Sequence, residues 1–212
     1  MYDQLVRAIK WNTAGIILYK ILLFAHQSFL FTCIPQTEYG IVGTLFSTIY
    51  FLIPVSNFGF DYTILSFFKK SRSTKESSFI IRQYLYRLTI LFGIVGTATA
   101  CYLHLESMKF ISPMMFITCV TLFFFESLKH SLRTHAHIFH LNKKIAIFEN
   151  GSLVAYIAII WAYFGMYHTI PTLLLFLPLA ITSGVETILI TVAMIRSYRQ
   201  LNKTPCHLPT DR

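Results

Sequence analysis

The chain has 212 residues, of which 55% are hydrophobic and only 13% charged, and it carries a formal net charge of +9. Soluble domains average ~25% charged residues, so a water-soluble globular fold is excluded. No basic run interleaves with aromatics on a polar segment, which excludes nucleic-acid binding; the cations suit loops facing anionic headgroups instead.

Residues 1–10 read as a short amphipathic lead-in, with Leu5, Val6 and Ile9 apolar and Asp3, Arg7 and Lys10 polar. The first apolar segment, residues 11–34, is too long for a signal-peptide core, carries Lys20 and lacks a small-residue cleavage site. It reads as a retained membrane helix ending before Pro35. A tight external turn over Pro35–Gly40 leads to a second helix, residues 40–67, interrupted by Pro54 and followed by Asn57 and Gly59. The loop Lys69–Ser78 is polar and Ser-rich and reads as the longest exposed cytoplasmic stretch. The third helix, residues 82–104, has Gly93 and Thr97 four apart, a small-xxx-small spacing that permits close helix contact. The fourth, residues 110–140, has no Pro or Gly from Leu122 to His140 and is expected to run past the membrane. The fifth, residues 145–167, ends in Trp161, Tyr163, Phe164 and Tyr167, like an interfacial belt. The sixth, residues 171–198, contains Pro178 and Gly184. Residues 1–200 thus form one six-helix transmembrane unit, and residues 201–212 a disordered cytoplasmic tail.

Most apolar segments approach the ~20 residues that cross a ~30 Å hydrocarbon core. Charge gives a separate signal. Of the eighteen Lys and Arg residues, sixteen fall in alternate gaps around the apolar runs themselves, 11–34, 40–67, 88–102, 110–127, 145–167 and 171–195. Arg7 and Lys10 precede the first; Lys69, Lys70, Arg72, Lys75, Arg82 and Arg87 separate the second from the third. Lys129, Arg133, Lys143 and Lys144 separate the fourth from the fifth, and Arg196, Arg199, Lys203 and Arg212 follow the sixth. The positive-inside rule then predicts an integral protein of the inner or cell membrane, all-α, with six spans and both termini cytoplasmic.

No soluble-enzyme motif is present: no P-loop, GxGxxG or HExxH. The four cysteines lack metal-type spacing, and a Cys33–Cys101 bridge is at most a minor alternative. No cofactor or metal is called for. The informative residues are ionisable groups in the membrane, each costing ~2.5–3.5 kcal/mol at a helix centre. Lys20 lies near mid-depth, and Thr13, Lys20 and Gln27 fall within about 20° of one line on the first helix. That polar stripe is expected to face the bundle interior, against the alternative of Lys20 snorkelling to the interface. His26 lies off the stripe, as a ligand-binding or a hydrogen-bonded interhelix histidine. Glu186, with Thr182 four residues before it and Ser183 and Thr187 beside it, is a candidate cation or proton site. Alternatively it is the counter-charge to Lys20 in an ion pair across the first and sixth helices. Asn57 and Asp61 are gating candidates at the cytoplasmic end of the second helix. Glu126, Glu149 and Asn150 sit near the same boundary, and Glu126 is within helix spacing of Lys129 and His130. His130, His135, His137 and His140 are better explained as a solvated helix face than as a metal site.

The stretch PQTEYGIVGTLFSTIYFLIPVSNFGFDYTILSFF, residues 35–68, resembles the start of polysaccharide and lipid-linked oligosaccharide flippases of the multidrug and oligosaccharide exporter superfamily. The positions that carry the likeness are Pro35, Glu38, Tyr39, Gly40, Asn57 and Gly59, with NKKIAIFEN opening the fifth helix. The resemblance implies one amino-terminal lobe of a MATE-like fold whose central cavity lies between two six-helix lobes. The second lobe would come from another copy or a separate chain; otherwise this would be a truncated or inactive derivative. It implies transport by alternating access, without covalent chemistry, of a polyprenyl-linked oligosaccharide or polysaccharide precursor. Lys20 matches the helix-one cation that meets the carrier pyrophosphate, and His26 matches it more weakly. Gln27 and Thr13 would line the substrate site, with Glu186 and Thr182 coupling an ion. The partners are membrane lipids, a lipid-linked sugar and the second lobe. A non-transporting membrane scaffold or assembly subunit, and an integral-membrane lipid-modifying enzyme, are the competing functions.

Overall fold

The computed structural model of the chain describes residues 2–57, 75–104, 111–138 and 141–203. Six helices account for nearly all of them: α1 Tyr2–Cys33, α2 Gln36–Asn57, α3 Lys75–His104, α4 Pro113–Ile138, α5 Asn142–Tyr167 and α6 Thr172–Lys203. The number and order follow the apolar segments; several boundaries do not. α1 is continuous from Tyr2, so the amphipathic lead-in is its first turns rather than a separate element. Only Ile34 and Pro35 separate α1 from α2, because proline suits a helix start and Tyr39 N–H already donates to the Pro35 carbonyl at 2.9 Å. The expected turn over Pro35–Gly40 is therefore mostly helix. α3 begins at Lys75, inside what the sequence suggests is an exposed loop, and α6 carries on to Lys203, into the expected tail. Pro54 and Pro178 are both accommodated within helices. α4 starts on Pro113, with Met115 N–H donating to the Ser112 hydroxyl at 3.3 Å. α5 ends where His168 takes the left-handed conformation, φ 54°, and its N–H reaches the Phe164 carbonyl.

α4 and α6 form the central pair; α5 packs on α1 and α6, and α2 on α4. α3 touches α2 and α4 only lightly. Contacts fix the directions. Gly15 meets Ala146 and Phe29 meets Phe164, so α1 and α5 are parallel. Glu126 meets Ser183, and Leu132 shares a cluster with Ile190, so α4 and α6 are parallel. α5 runs against α6, with Ser152 on Glu186 and Ile145 beside Ile190. Tyr2, the end of α4 at Ile138, the start of α5 at Asn142 and Lys203 thus gather at one end of the bundle.

The outside is apolar: Phe24 is 72% exposed, Phe51 70% and Ile188 61%. Soluble monomers seldom show contiguous apolar patches of such extent. Five helices contain stretches long and apolar enough to cross a membrane, whereas α3 offers only Thr89–Tyr102. The chain is a polytopic helical membrane protein. The short apolar part of α3 has a cause: Arg82 and Arg87 fall in its first half.

Two glycines set close helix approaches. A Cβ on Gly15 would lie 2.8 Å from the Ala146 Cβ, and one on Gly184 would lie 3.1 Å from the Phe125 ring. Gly93 does not act as its spacing suggests. No atom of a neighbouring helix would lie within 4 Å of a Cβ there. Gly93 and Thr97 instead line an apolar groove of about 830 Å³ with Leu52 and Val55.

Candidate functional site

A cleft of about 440 Å³ lies between α1 and α2. Ile16, Tyr19 and Lys20 of α1 form one wall, and Tyr50, Ile53 and Pro54 of α2 the other. Its floor is Glu126, Lys129, His130 and Arg133 of α4 with Glu149 of α5. The charged floor follows from helix periodicity: 126, 129, 130 and 133 are spaced three and four apart and share a face. Proline deprives the carbonyl four residues earlier of its helical partner. For Pro54 that residue is Tyr50, which lines the same wall.

Behind the floor the charges are paired. Lys129 Nζ sits 2.5 Å from Glu126 Oε1 and 3.5 Å from Glu186 Oε2. Ser183 donates to Glu126 at 2.5 Å, and Ser152 to Glu186 Oε2 at 2.8 Å. Glu126 is 7% exposed and Glu186 2%, while the Lys129 side chain keeps 17% through the cleft. Desolvated ions are tolerated when paired and hydrogen-bonded. Glu186 Oε1 is buried and has no hydrogen-bond partner among the described residues. Nearer the rim, Arg133 pairs with Glu149 at 3.1 Å. On the far side of α4, buried Arg87 donates to the Ser127 carbonyl at 3.3 Å.

Several sequence expectations are corrected here. Thr13, Lys20 and Gln27 do share a side of α1, but all three are exposed rather than turned into the bundle. The face of α1 that does turn inward carries Gly15, Leu22, His26 and Phe29, against α5. Of the stripe, only Lys20 reaches the cleft. Glu186 pairs with Lys129 of α4, not with Lys20. Thr182 donates to the Leu179 carbonyl of its own helix and does not join the Glu186 network. His26 is 2% exposed, edge-on to Tyr156 at 5.0 Å, with neither ring nitrogen hydrogen-bonded among the described residues. That makes it an α1–α5 packing residue; it does not line the cleft. Asn57 is the last described residue of α2, while Asp61 lies outside the described residues, as does His140. His130 stands at the cleft; the side chains of His135 and His137 are not described. No cluster of metal-ligating side chains occurs among the described residues. Cys33 and Cys101 are both free thiols.

Lys129 and Arg87 were legible as loop cations, and the structure places both inside the bundle. The signal for Lys129 was its spacing of three from Glu126, behind the apolar run Leu122–Phe125. Arg87 has no comparable carboxylate neighbour in its helix.

The architecture and the charged cleft define a class: a helical, polytopic membrane protein with a polar recess in an apolar bundle. Comparison with protein-family models, with curated proteins and with solved structures returns no match.

Proposed function

We propose that the chain is half of a flippase-like membrane transporter, and that the α1–α2 cleft receives the anionic headgroup of a polyprenyl-linked saccharide. The observation that carries this is a recess holding Lys20, Lys129, His130 and Arg133, with the carboxylates Glu126 and Glu149, between helices whose outer surfaces are apolar. Such groups are costly in a bilayer and mark substrate or ion paths. The cleft admits a phosphate-bearing headgroup while a chain stays in lipid. Lys20 contacts the headgroup first, with Arg133 near the rim and Lys129 deeper. Pro54 lets α2 bend at the cleft wall, as alternating access requires. Glu186, with Glu126 and Lys129, is the coupling element. The polar line Thr13–Lys20–Gln27, exposed beside the cleft mouth, is covered by a second lobe, from another copy or a separate chain. By the positive-inside rule both chain ends are cytoplasmic.

A non-transporting scaffold is the second reading, favoured by one observation: Lys129 already has two carboxylate partners without any ligand. Lys20→Ala separates the two. A transporter loses glycan export at unchanged protein level, because Lys20 is exposed and its loss leaves no buried charge. Export retained at normal abundance rules out Lys20 as a headgroup contact.

A further inference from the structure

Glu126 and Glu186 are two buried carboxylates that share a single ammonium, Lys129. Counted together the three carry a net charge of −1. Lys129 is also the only one of the three whose side chain both bridges the pair and lines the cleft beside Lys20 and Arg133. The ammonium therefore has two alternative sets of anions within the swing of one flexible side chain. Turning toward an anion in the cleft leaves two carboxylates, from α4 and α6, facing each other without a cation. Two desolvated carboxylates in one site do not both stay ionised. Ser183 and Ser152 donate to one oxygen of each and cannot replace the lost charge. The buried, unpartnered Glu186 Oε1 is an available seat for a proton.

We propose that anion binding in the cleft is linked to uptake of one proton by the Glu126–Glu186 pair, with Lys129 exchanging between the pair and the anion. This rests on the cleft being an anion site, as read above, and adds what is exchanged there. In the step, a hydronium ion gives its proton to a carboxylate oxygen, one O–H bond forms and water is left; no other bond changes. The other titratable or charged groups facing this site among the described residues are Tyr19 and Lys20 of α1, Tyr50 of α2, His130 and Arg133 of α4, and Glu149 of α5, with Arg87 of α3 behind α4 on the Ser127 carbonyl. Arg133 and Glu149 neutralise each other. His130, which titrates in the neutral range unaided, and the Glu149 carboxylate are the competing proton acceptors.

The test uses the full chain in detergent and P1,P2-dimethyl pyrophosphate, whose two phosphoryl groups each keep one fixed negative charge through the neutral range. Titration calorimetry in buffers of different ionisation enthalpy counts protons taken up per anion bound. The expected result is about one proton, with affinity rising up to about tenfold per unit fall in pH. His130→Gln and Glu149→Gln each keep the uptake, and the double variant Glu126→Gln with Glu186→Gln loses it. Infrared difference spectra of the wild-type protein give a second readout, independent of how any variant folds: anion addition brings up a protonated-carboxyl band. Binding without proton uptake overturns the linkage and leaves the anion cleft standing. Uptake abolished by His130→Gln or by Glu149→Gln also overturns it. No binding of the probe at all overturns both the linkage and the anion site.

Discussion

Gly15→Ala tests the close contact between α1 and α5. The new methyl carbon would lie 2.8 Å from the Ala146 Cβ and 3.6 Å from its Cα. Carbon atoms prefer ~3.5–4.0 Å, so α1 and α5 must part by about 1 Å. The neighbour is a methyl on a helix backbone and has no rotamer through which to yield. Separation also strains the Asn150 amide, which donates to the Gly15 carbonyl at 3.3 Å. Overpacking of this kind costs ~1–3 kcal/mol. That is about a 5- to 150-fold shift in the folding equilibrium. Ala146→Gly removes the opposing methyl; alone it costs ~1 kcal/mol in helix propensity. Combined with Gly15→Ala it restores the spacing, so the pair couples favourably by about 1 kcal/mol or more. Unfolding in mixed micelles, followed by tryptophan fluorescence, measures each corner of the cycle. The probes sit on the contact: Trp11 of α1 carries the Lys143 ammonium 5.1 Å above its ring, and Trp161 of α5 lies 5.0 Å from Phe29. Strictly additive effects, or a Gly15→Ala protein as stable as wild type, refute the close α1–α5 approach.

Lys129→Met strands two buried carboxylates and is expected to destabilise by ~3–5 kcal/mol; adding Glu126→Gln and Glu186→Gln recovers most of that, by thermal unfolding in detergent. Gly184→Ala is milder, because the atom it meets at 3.1 Å belongs to the Phe125 ring; a loss of about 1 kcal/mol, against several for Gly184→Leu, checks this in the same assay. His168→Gly relieves a left-handed residue at the end of α5 and is expected to stabilise by about 1 kcal/mol, read as a raised Tm. Cys119 is buried and Cys101 half-buried on the α2–α3 groove. A small maleimide is therefore expected to modify Cys101 before Cys119, followed by mass analysis of peptides.

The sequence by itself determined the solvent and the number of helices. Apolar segments of membrane-crossing length, with polar or proline-bearing gaps, leave α-helices as the only spanning structure that satisfies every backbone group. It left the ends of those helices open, because stretches such as Lys75–Ser78 and Leu201–Lys203 hold no Pro or Gly to stop a helix, and polarity marks exposure rather than the end of a helix. It named Glu186, Lys20 and Glu126, because an ion in an apolar run stands out locally. Partners do not stand out. That Lys129 rather than Lys20 meets Glu186, and that Gln27 and Thr13 turn outward while His26 turns in, depend on the rotation of each helix about its axis. A fixed polar line on α1 is compatible with either facing; what decided it was Gly15, which lets α1 approach Ala146 closely and so sets which side of the helix is buried.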